Sequence, residues 1–412
     1  MFARIFFLLF LVFFSISRMG WAEEAASNSC LTCHSDMWEE VKGSAHSQQG
    51  IYCNKCHGGD PTKDDKDLAK GPGTGYIGIP DKKQAMELCG SCHSDVSVMN
   101  FYGTSTDQLA QYKTSHHGKK LLEEGNAKVA VCSDCHGYHE VLKVSDPNSS
   151  VYPSNLPKTC AKCHGNEKLM HSFGLPSDVF EKYKNSVHGK ALFEKGDTSV
   201  ANCASCHGSH GAVPPGFREV GATCGKCHIN EKANFQESVH ALISDREKFS
   251  ECVSCHSNHD IQPVSVALYD QACVKCHTPE SKAFQQGRQI KAILQKADSE
   301  LKETRQILKQ AGIEGFFIEE EEAILEEVRS KVLEMQPLQH KLIYNELADL
   351  YAQSDAKIKE IKASIDGKRK GLKWRKVGLI VLWIFILIMV WALNSEYKRI
   401  MAEEKAKQKS GE

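Results

Sequence analysis

Cys89-Gly90-Ser91-Cys92-His93 opens a stretch that runs through Ser115-His116-His117-Gly118 to Cys132-Ser133-Asp134-Cys135-His136-Gly137-Tyr138-His139 and ends at Leu142. Move 71 residues along and the text returns: Cys160 to His164, Ser186-Val187-His188-Gly189, then Cys203 to His210. Over 89–142, 22 of 54 positions are identical at that offset. The duplicated unit is C-x-x-C-H, a helix-length spacer, S-x-H, and a second C-x-x-C-H followed by x-x-H. C-x-x-C-H is the attachment sequence of c-type haem. Its two thiols bond the haem vinyl groups, and its histidine is the proximal ligand of the iron.

Outward from this stretch, all 18 cysteines fall into nine such motifs. In chain order these are Cys30 with Cys33, Cys53 with Cys56, Cys89 with Cys92, Cys132 with Cys135, Cys160 with Cys163, Cys203 with Cys206, Cys224 with Cys227, Cys252 with Cys255, and Cys273 with Cys276. A zinc ribbon or a disulfide framework does not require a histidine after each pair. Nine haems with nine proximal histidines are therefore expected: His34, His57, His93, His136, His164, His207, His228, His256 and His277. The formal charge of −1 offers no electrostatic case for nucleic acid.

The odd-numbered motifs each precede a spacer that leads to S-x-H. Counted from the first cysteine, the histidine comes 16 residues later at His46 and His240, and 28 later at His117 and His188. Three even-numbered motifs continue to x-x-H, giving His139, His210 and His259. A repeat of this kind signals an array of units packed on their neighbours. Two positions break it: Asp60 stands at x-x-H after the second motif, and Gly287-Arg288-Gln289 replaces S-x-H after the ninth. Ten of the 19 histidines are not proximal. His340 lies outside the motif region, and the other nine are distal candidates: the seven just named plus His116 and His171. Nine candidates for nine irons predict bis-histidine ligation. An x-x-H histidine lies one helical turn past a proximal ligand, so it is expected to serve a neighbouring iron. Bis-histidine irons pass electrons but offer no place to substrate, whereas an iron left open by Asp60 or Gln289 can bind a small molecule. An electron carrier and an oxidoreductase with one open haem, acting on a small nitrogen or sulfur compound of the hydroxylamine, nitrite or tetrathionate type, both stand at this point.

Residues 1–22 read as a secretory signal, with Arg4, an apolar core from Ile5 to Ile16 and a small-x-small site at Gly20-Trp21-Ala22. Residues 23–280 are the haem region. Within it, Gly71-Pro72-Gly73-Thr74-Gly75-Tyr76-Ile77-Gly78 matches G-x-G-x-x-G without the strand and helix a nucleotide site needs, and reads as a flexible loop. Over 281–370, apolar residues at three-to-four spacing (Ile290, Leu294, Ala297, Leu301, Leu308; Leu347, Leu350, Ile358, Ile361, Ile365) predict two long helices as a hairpin or small bundle. Breaks are expected at Gly312 and Gly315 and at Pro337. The final segment, 371–412, holds 17 uncharged residues, Val377 to Leu393, which span about 26 Å as a helix. Basic residues flank both ends, so charge alone does not orient it. Export of the haem region does: haems in the periplasm, Asn394 to Glu412 in the cytoplasm. The fold class expected is mainly α with much irregular coil.

The S-x-H-G and C-x-x-C-H-G-x-H patterns over roughly 30–280 resemble the multihaem cytochromes c of anaerobic respiratory bacteria, including the cytochrome c554 and cytochrome c3-like groups. The octahaem hydroxylamine-oxidoreductase and tetrathionate-reductase groups share haem-packing themes. The resemblance implies a periplasmic electron carrier on the bacterial inner membrane, here of a membrane-anchored nonahaem type. It also implies redox partner proteins, such as a cytochrome b-type quinol module or other multihaem cytochromes.

Overall fold

The computed structural model describes residues 28–213, 220–243, 245, 248–409 and 411; the expected signal at 1–22 lies outside them. The described residues are mainly helical and contain no strand. They fall into two units. One comprises the described residues of Met1–Cys224 and Arg246–Pro263, the other those of Gly225–Asp245 and Val264–Glu412.

In the first unit most C-x-x-C-H motifs are helical turns. The third and fifth close longer helices, Lys82–His93 and Leu156–His164. The second, fourth and sixth are five-residue helices, Cys53–His57, Cys132–His136 and Cys203–His207. Each of these short helices ends on a glycine at positive φ (Gly58 69°, Gly137 86°, Gly208 81°), a conformation glycine reaches without steric cost. The eighth, Cys252–His256, makes the same exit through Ser257 at φ 67°. Neighbouring motifs are tied together: Lys82 of the third-motif helix donates to Val129 O at 2.9 Å and pairs with Asp134 of the fourth motif at 2.6 Å. Among the described residues only eleven apolar side chains of this unit, Pro157 included, are buried, in roughly two hundred residues. A chain of that size ordinarily hides many more.

The second unit is built differently. Lys282–Ile313, Glu319–Leu338 and the first part of Tyr344–Lys409 bury one shared stripe. Its core includes Ile290, Leu294, Ala297, Leu301 and Leu308, then Leu325, Val328, Val332 and Met335, then Leu347, Leu350, Ile358, Ile361 and Ile365. Three helices form this bundle where two were expected. The first break falls as predicted, after Ile313, with Gly315 at φ 86°. The second comes just past Pro337, which sits in a helical last turn; a 3₁₀ turn at Gln339–Lys341 and Leu342 at φ 58° then reverse the chain. Tyr344–Lys409 has 66 residues and no break, so it extends about 99 Å, and it is long and apolar enough to cross a membrane. From Val377 to Leu393 its large apolar side chains are exposed.

Candidate haem sites

S-x-H is first of all a helix start. Ser115 is the N-cap of His116–Leu122: its Oγ accepts from Gly118 N at 3.0 Å and donates to Tyr112 O at 2.6 Å. Ser186 repeats this with Gly189 N at 3.0 Å and Tyr183 O at 2.6 Å. Ser44 caps toward Ser47 N at 3.0 Å, and Ser238 donates to Phe235 O at 2.7 Å. All four serines are buried. The glycine of S-x-H-G has an equally direct cause. A Cβ on Gly118 would lie 2.0 Å from Tyr112 O, and one on Gly189 2.0 Å from Tyr183 O. Only glycine lets the new helix start this close to the end of the previous one. The histidine sits in the first turn of the new helix, aimed by the cap.

These histidines meet proximal histidines, ring to ring. His46 faces His93 at 6.1 Å between centroids, His117 faces His164 at 6.1 Å, and His240 faces His277 at 6.0 Å. The x-x-H histidines do the same: His139 faces His57 at 6.3 Å, His210 faces His136 at 6.1 Å, and His259 faces His207 at 5.9 Å. A metal–imidazole bond is about 2.0–2.1 Å and the ring centre lies roughly 1.1 Å behind its nitrogen, so two imidazoles on one metal have centres about 6.3 Å apart. The spacing fits a single iron between each pair.

The other ring nitrogens fit too. His57 Nδ1 is 2.8 Å from Gly78 O, His207 Nδ1 3.3 Å from Val213 O, and His139 Nδ1 3.3 Å from Glu40 Oε2. A ligating imidazole typically donates its second N–H to a carbonyl or carboxylate, which fixes its tautomer. Burial pulls the imidazoles of His46, His93, His117, His136, His164, His210, His240 and His259 below their ordinary value. The facing ring adds to this at His46, His117, His136, His240 and His259. Neutral imidazole is the form a metal needs.

None of the eighteen cysteines, expected from the motifs as haem thioethers, is joined to another in a disulfide. Within the motifs they divide by position. The first cysteine is half-buried in all nine. The second is exposed at Cys33, Cys56, Cys92, Cys206, Cys227, Cys255 and Cys276, and half-buried at Cys135 and Cys163. Residues three apart on a helical turn share a face, so in the helical motifs both thiols can be reached from one side. First cysteines of consecutive motifs lie close together: Cys30 by Cys53, Cys89 by Cys132, Cys160 by Cys203, and Cys224 by Cys252. Among the described residues no three His, Cys, Asp or Glu side chains converge on a point. Zinc takes four such donors. A porphyrin brings four of its own and asks the protein for two, and the imidazoles here meet in twos. The thinly filled core of the first unit leaves the same group room as apolar filling.

The pairs obey a direction that the spacing alone concealed. His46, His117 and His240 of S-x-H each face the proximal histidine of the next odd-numbered motif, and His139, His210 and His259 of x-x-H each face that of the preceding even-numbered one. By the same direction Asp60 would point back to an even-numbered motif before the second and Gln289 forward to an odd-numbered one beyond the ninth, and neither is among the nine. The same direction assigns no histidine to the first or the eighth motif. Gln289 is exposed on Lys282–Ile313, and the buried Gly287 beside it lies against Tyr269 and Cys273, where a Cβ would come to 3.5 and 3.7 Å. His116 and His171 are exposed and stand in none of these ring pairs. His188 occupies in Val187–Lys195 the place of His117 in its own helix. His340 Nδ1 contacts Pro337 O at 3.0 Å in the helical bundle.

Segments 15–58 and 223–301 match the family model described as cytochrome c554 and c-prime; together they contain five of the nine motifs. No curated protein and no solved structure matches the chain. The family match and the attachment motifs support a multihaem c-type cytochrome, a class whose covalently bound haems transfer electrons.

Proposed function

We propose that this chain is a membrane-anchored nonahaem cytochrome that relays electrons between a membrane-bound, quinol-linked donor or acceptor and partners in the periplasm. Bound at the nine motifs, haem supplies reversible one-electron exchange at iron. The protein's part is attachment, ligation and spacing. Each cysteine pair, from Cys30 and Cys33 to Cys273 and Cys276, anchors one group. Six histidine pairs at 5.9–6.3 Å close both faces of six irons and so exclude substrate from them. Those pairs carry the reading, and they favour a carrier over an oxidoreductase. Because partners come from motifs two apart in the chain, every ligand bond also staples separate segments together, as the sparse apolar core requires.

The C-terminal helix is read as the anchor, with Val377–Leu393 in the lipid and the preceding Lys368, Arg369, Lys370, Lys373, Arg375 and Lys376 at the outer headgroups. The span contains no histidine, so quinol chemistry requires a partner such as a cytochrome b-type module. In the second unit Lys341 pairs with Glu237 at 2.8 Å and with Glu346 at 3.2 Å, and Tyr269 donates to Gln339 at 3.0 Å, joining the ninth-motif region to the bundle that leads into this helix. The deciding measurement is the intact mass of the full-length protein purified from membranes, with electron paramagnetic resonance of its oxidised form. Nine haems per chain and a predominantly low-spin ferric spectrum are expected. Alkylatable thiols in any motif, or high-spin iron at most sites, would overturn the proposal.

A further inference from the structure

We propose that Glu40 and Asp107, with Asp178 as a weaker third, set a carboxylate behind each x-x-H histidine and so lower the potential of the irons at the second, fourth and sixth motifs. This rests on the haem reading above and extends it to acids outside the motifs. Glu40 Oε2 lies 3.3 Å from His139 Nδ1, and His139 faces His57 of the second motif. Nδ1 is the ring nitrogen left for a hydrogen bond when Nε2 meets metal. A carboxylate accepting that N–H makes the imidazole a stronger donor than a neutral carbonyl does, and its charge favours ferric over ferrous iron. Reduction adds one electron to the iron, breaks no bond and leaves the Nδ1 proton in place.

Three pairs of segments are fastened alike. Glu40 lies on the short helix Trp38–Val41, and just past it Ala45 N donates to Val141 O at 2.7 Å. His116 N donates to Ala212 O at 3.3 Å and Val187 N to Ile261 O at 2.8 Å. Each time the middle residue of S-x-H holds the residue two past an x-x-H histidine. Each time an acid precedes the serine, Glu40 by four residues, Asp107 and Asp178 by eight. Asp107 lies near enough to His210, and Asp178 to His259, for their charges to interact. Neighbouring groups grade the three. Glu40 touches its histidine directly, whereas Glu39 beside it pairs with Lys42. Asp107 accepts from the neutral Ser105 and Gln111. Asp178 pairs with Lys182 at 2.8 Å, and that cation opposes Asp178 and Asp260 at His259.

The test uses full-length, haem-loaded protein carrying E40Q, D107N or, as control, E39Q; the amide keeps an acceptor and removes the charge. Intact mass and peptide mapping report haem on Cys53 and Cys56, electron paramagnetic resonance reports spin state, and a mediated redox titration followed by haem absorbance reports potentials. In E40Q one electron equivalent should enter more readily, by about tenfold in its equilibrium constant, the scale of a unit charge one imidazole away at a partly exposed site. Its iron should stay low-spin. D107N should move one equivalent in the same direction by less, and E39Q should match wild type. An unmoved E40Q titration with haem present on Cys53 and Cys56 sinks the assignment, as does an equal shift in E39Q. Gain of high-spin iron in E40Q also sinks it, because the acid would then only hold the histidine in place. A D107N titration identical to wild type overturns the repeat of the arrangement at the fourth motif. Absence of haem from Cys53 and Cys56 in the wild type sinks the underlying haem reading and the carboxylates with it.

Discussion

Replacing Gly118 by alanine puts two physical effects in direct opposition. Gly118 lies in the first turn of His116–Leu122, where helix propensity alone favours alanine by about 1 kcal/mol. Against this, the new Cβ would lie 2.0 Å from Tyr112 O, 2.8 Å from Tyr112 C and 3.0 Å from Lys113 Cα, all backbone atoms. Separations under 3.0 Å are not tolerated, so the two helices must part by about 1 Å. That movement breaks the buried Ser115 cap, whose bonds to Gly118 N and Tyr112 O are 3.0 and 2.6 Å. Loss of a cap costs about 1 kcal/mol and forced overpacking about 1–3. The net effect is destabilisation on the order of 1–3 kcal/mol, the reverse of what propensity predicts. His117 is covalently next to the site, and a displacement near 1 Å is half the length of a metal–imidazole bond. G118A should therefore lower the denaturant midpoint followed by far-ultraviolet circular dichroism and add high-spin ferric iron approaching one haem equivalent. G189A should behave alike, since Gly189 meets Tyr183 O at the same 2.0 Å. G43A is the control, for nothing lies within 4 Å of its Cβ position. A G118A protein as stable as wild type, with unchanged ligation, would refute the account of why S-x-H is followed by glycine.

H139A should open the iron of the second motif and no other, seen as one added haem equivalent of high-spin signal; gain at the sixth motif instead would reverse the pairing direction. E321Q should cost about 1–3 kcal/mol in a denaturant titration, because Glu321 is 2 % exposed and pairs with Lys368 at 2.6 Å. Burial pushes its carboxyl up, but hydrogen bonds from Lys368 and Ser364 outweigh that and leave it below the ordinary glutamate value. A lowered folded value means the stabilisation is complete above about pH 4.3 and is lost as pH falls through the lower folded value, so E321Q should flatten the acid limb of stability against pH. A chain ending at Lys370 keeps the whole bundle core through Ile365, and should leave the membrane fraction for the soluble one with its haem count unchanged; persistence in washed membranes would remove the anchor from Val377–Leu393.

Legibility differed sharply between the two units. The bundle could be read because its sixteen buried apolar residues follow helical spacing and water decides which face they take. Only the number of helices was missed: Glu319–Leu338 begins with four glutamates and fills only part of its length with core residues, so it does not read as a long apolar stripe. In the motif region apolar periodicity says little, since few apolar side chains are buried there. The cysteines and histidines were plain by spacing, and so were the serine and glycine beside them. What spacing could not convey was which histidine meets which, because partners lie far apart: His139 is 82 positions from His57, as their numbers show, and His46 is 47 from His93.

That direction changes what the irregular ends of the array mean. Counted position by position, Asp60 and Gln289 are two missing ligands, and two missing ligands argue for open irons and catalysis. Counted by the iron each position would serve, both are idle. The shortage moves to the first and eighth motifs, to which the same direction assigns no histidine of the repeat. At Asp60 the chain makes a structural contact in place of a histidine: its backbone N–H donates to Ala69 O at 2.9 Å. An iron without a second histidine differs from its neighbours in donor set, and axial donors are among the levers that set a haem's potential.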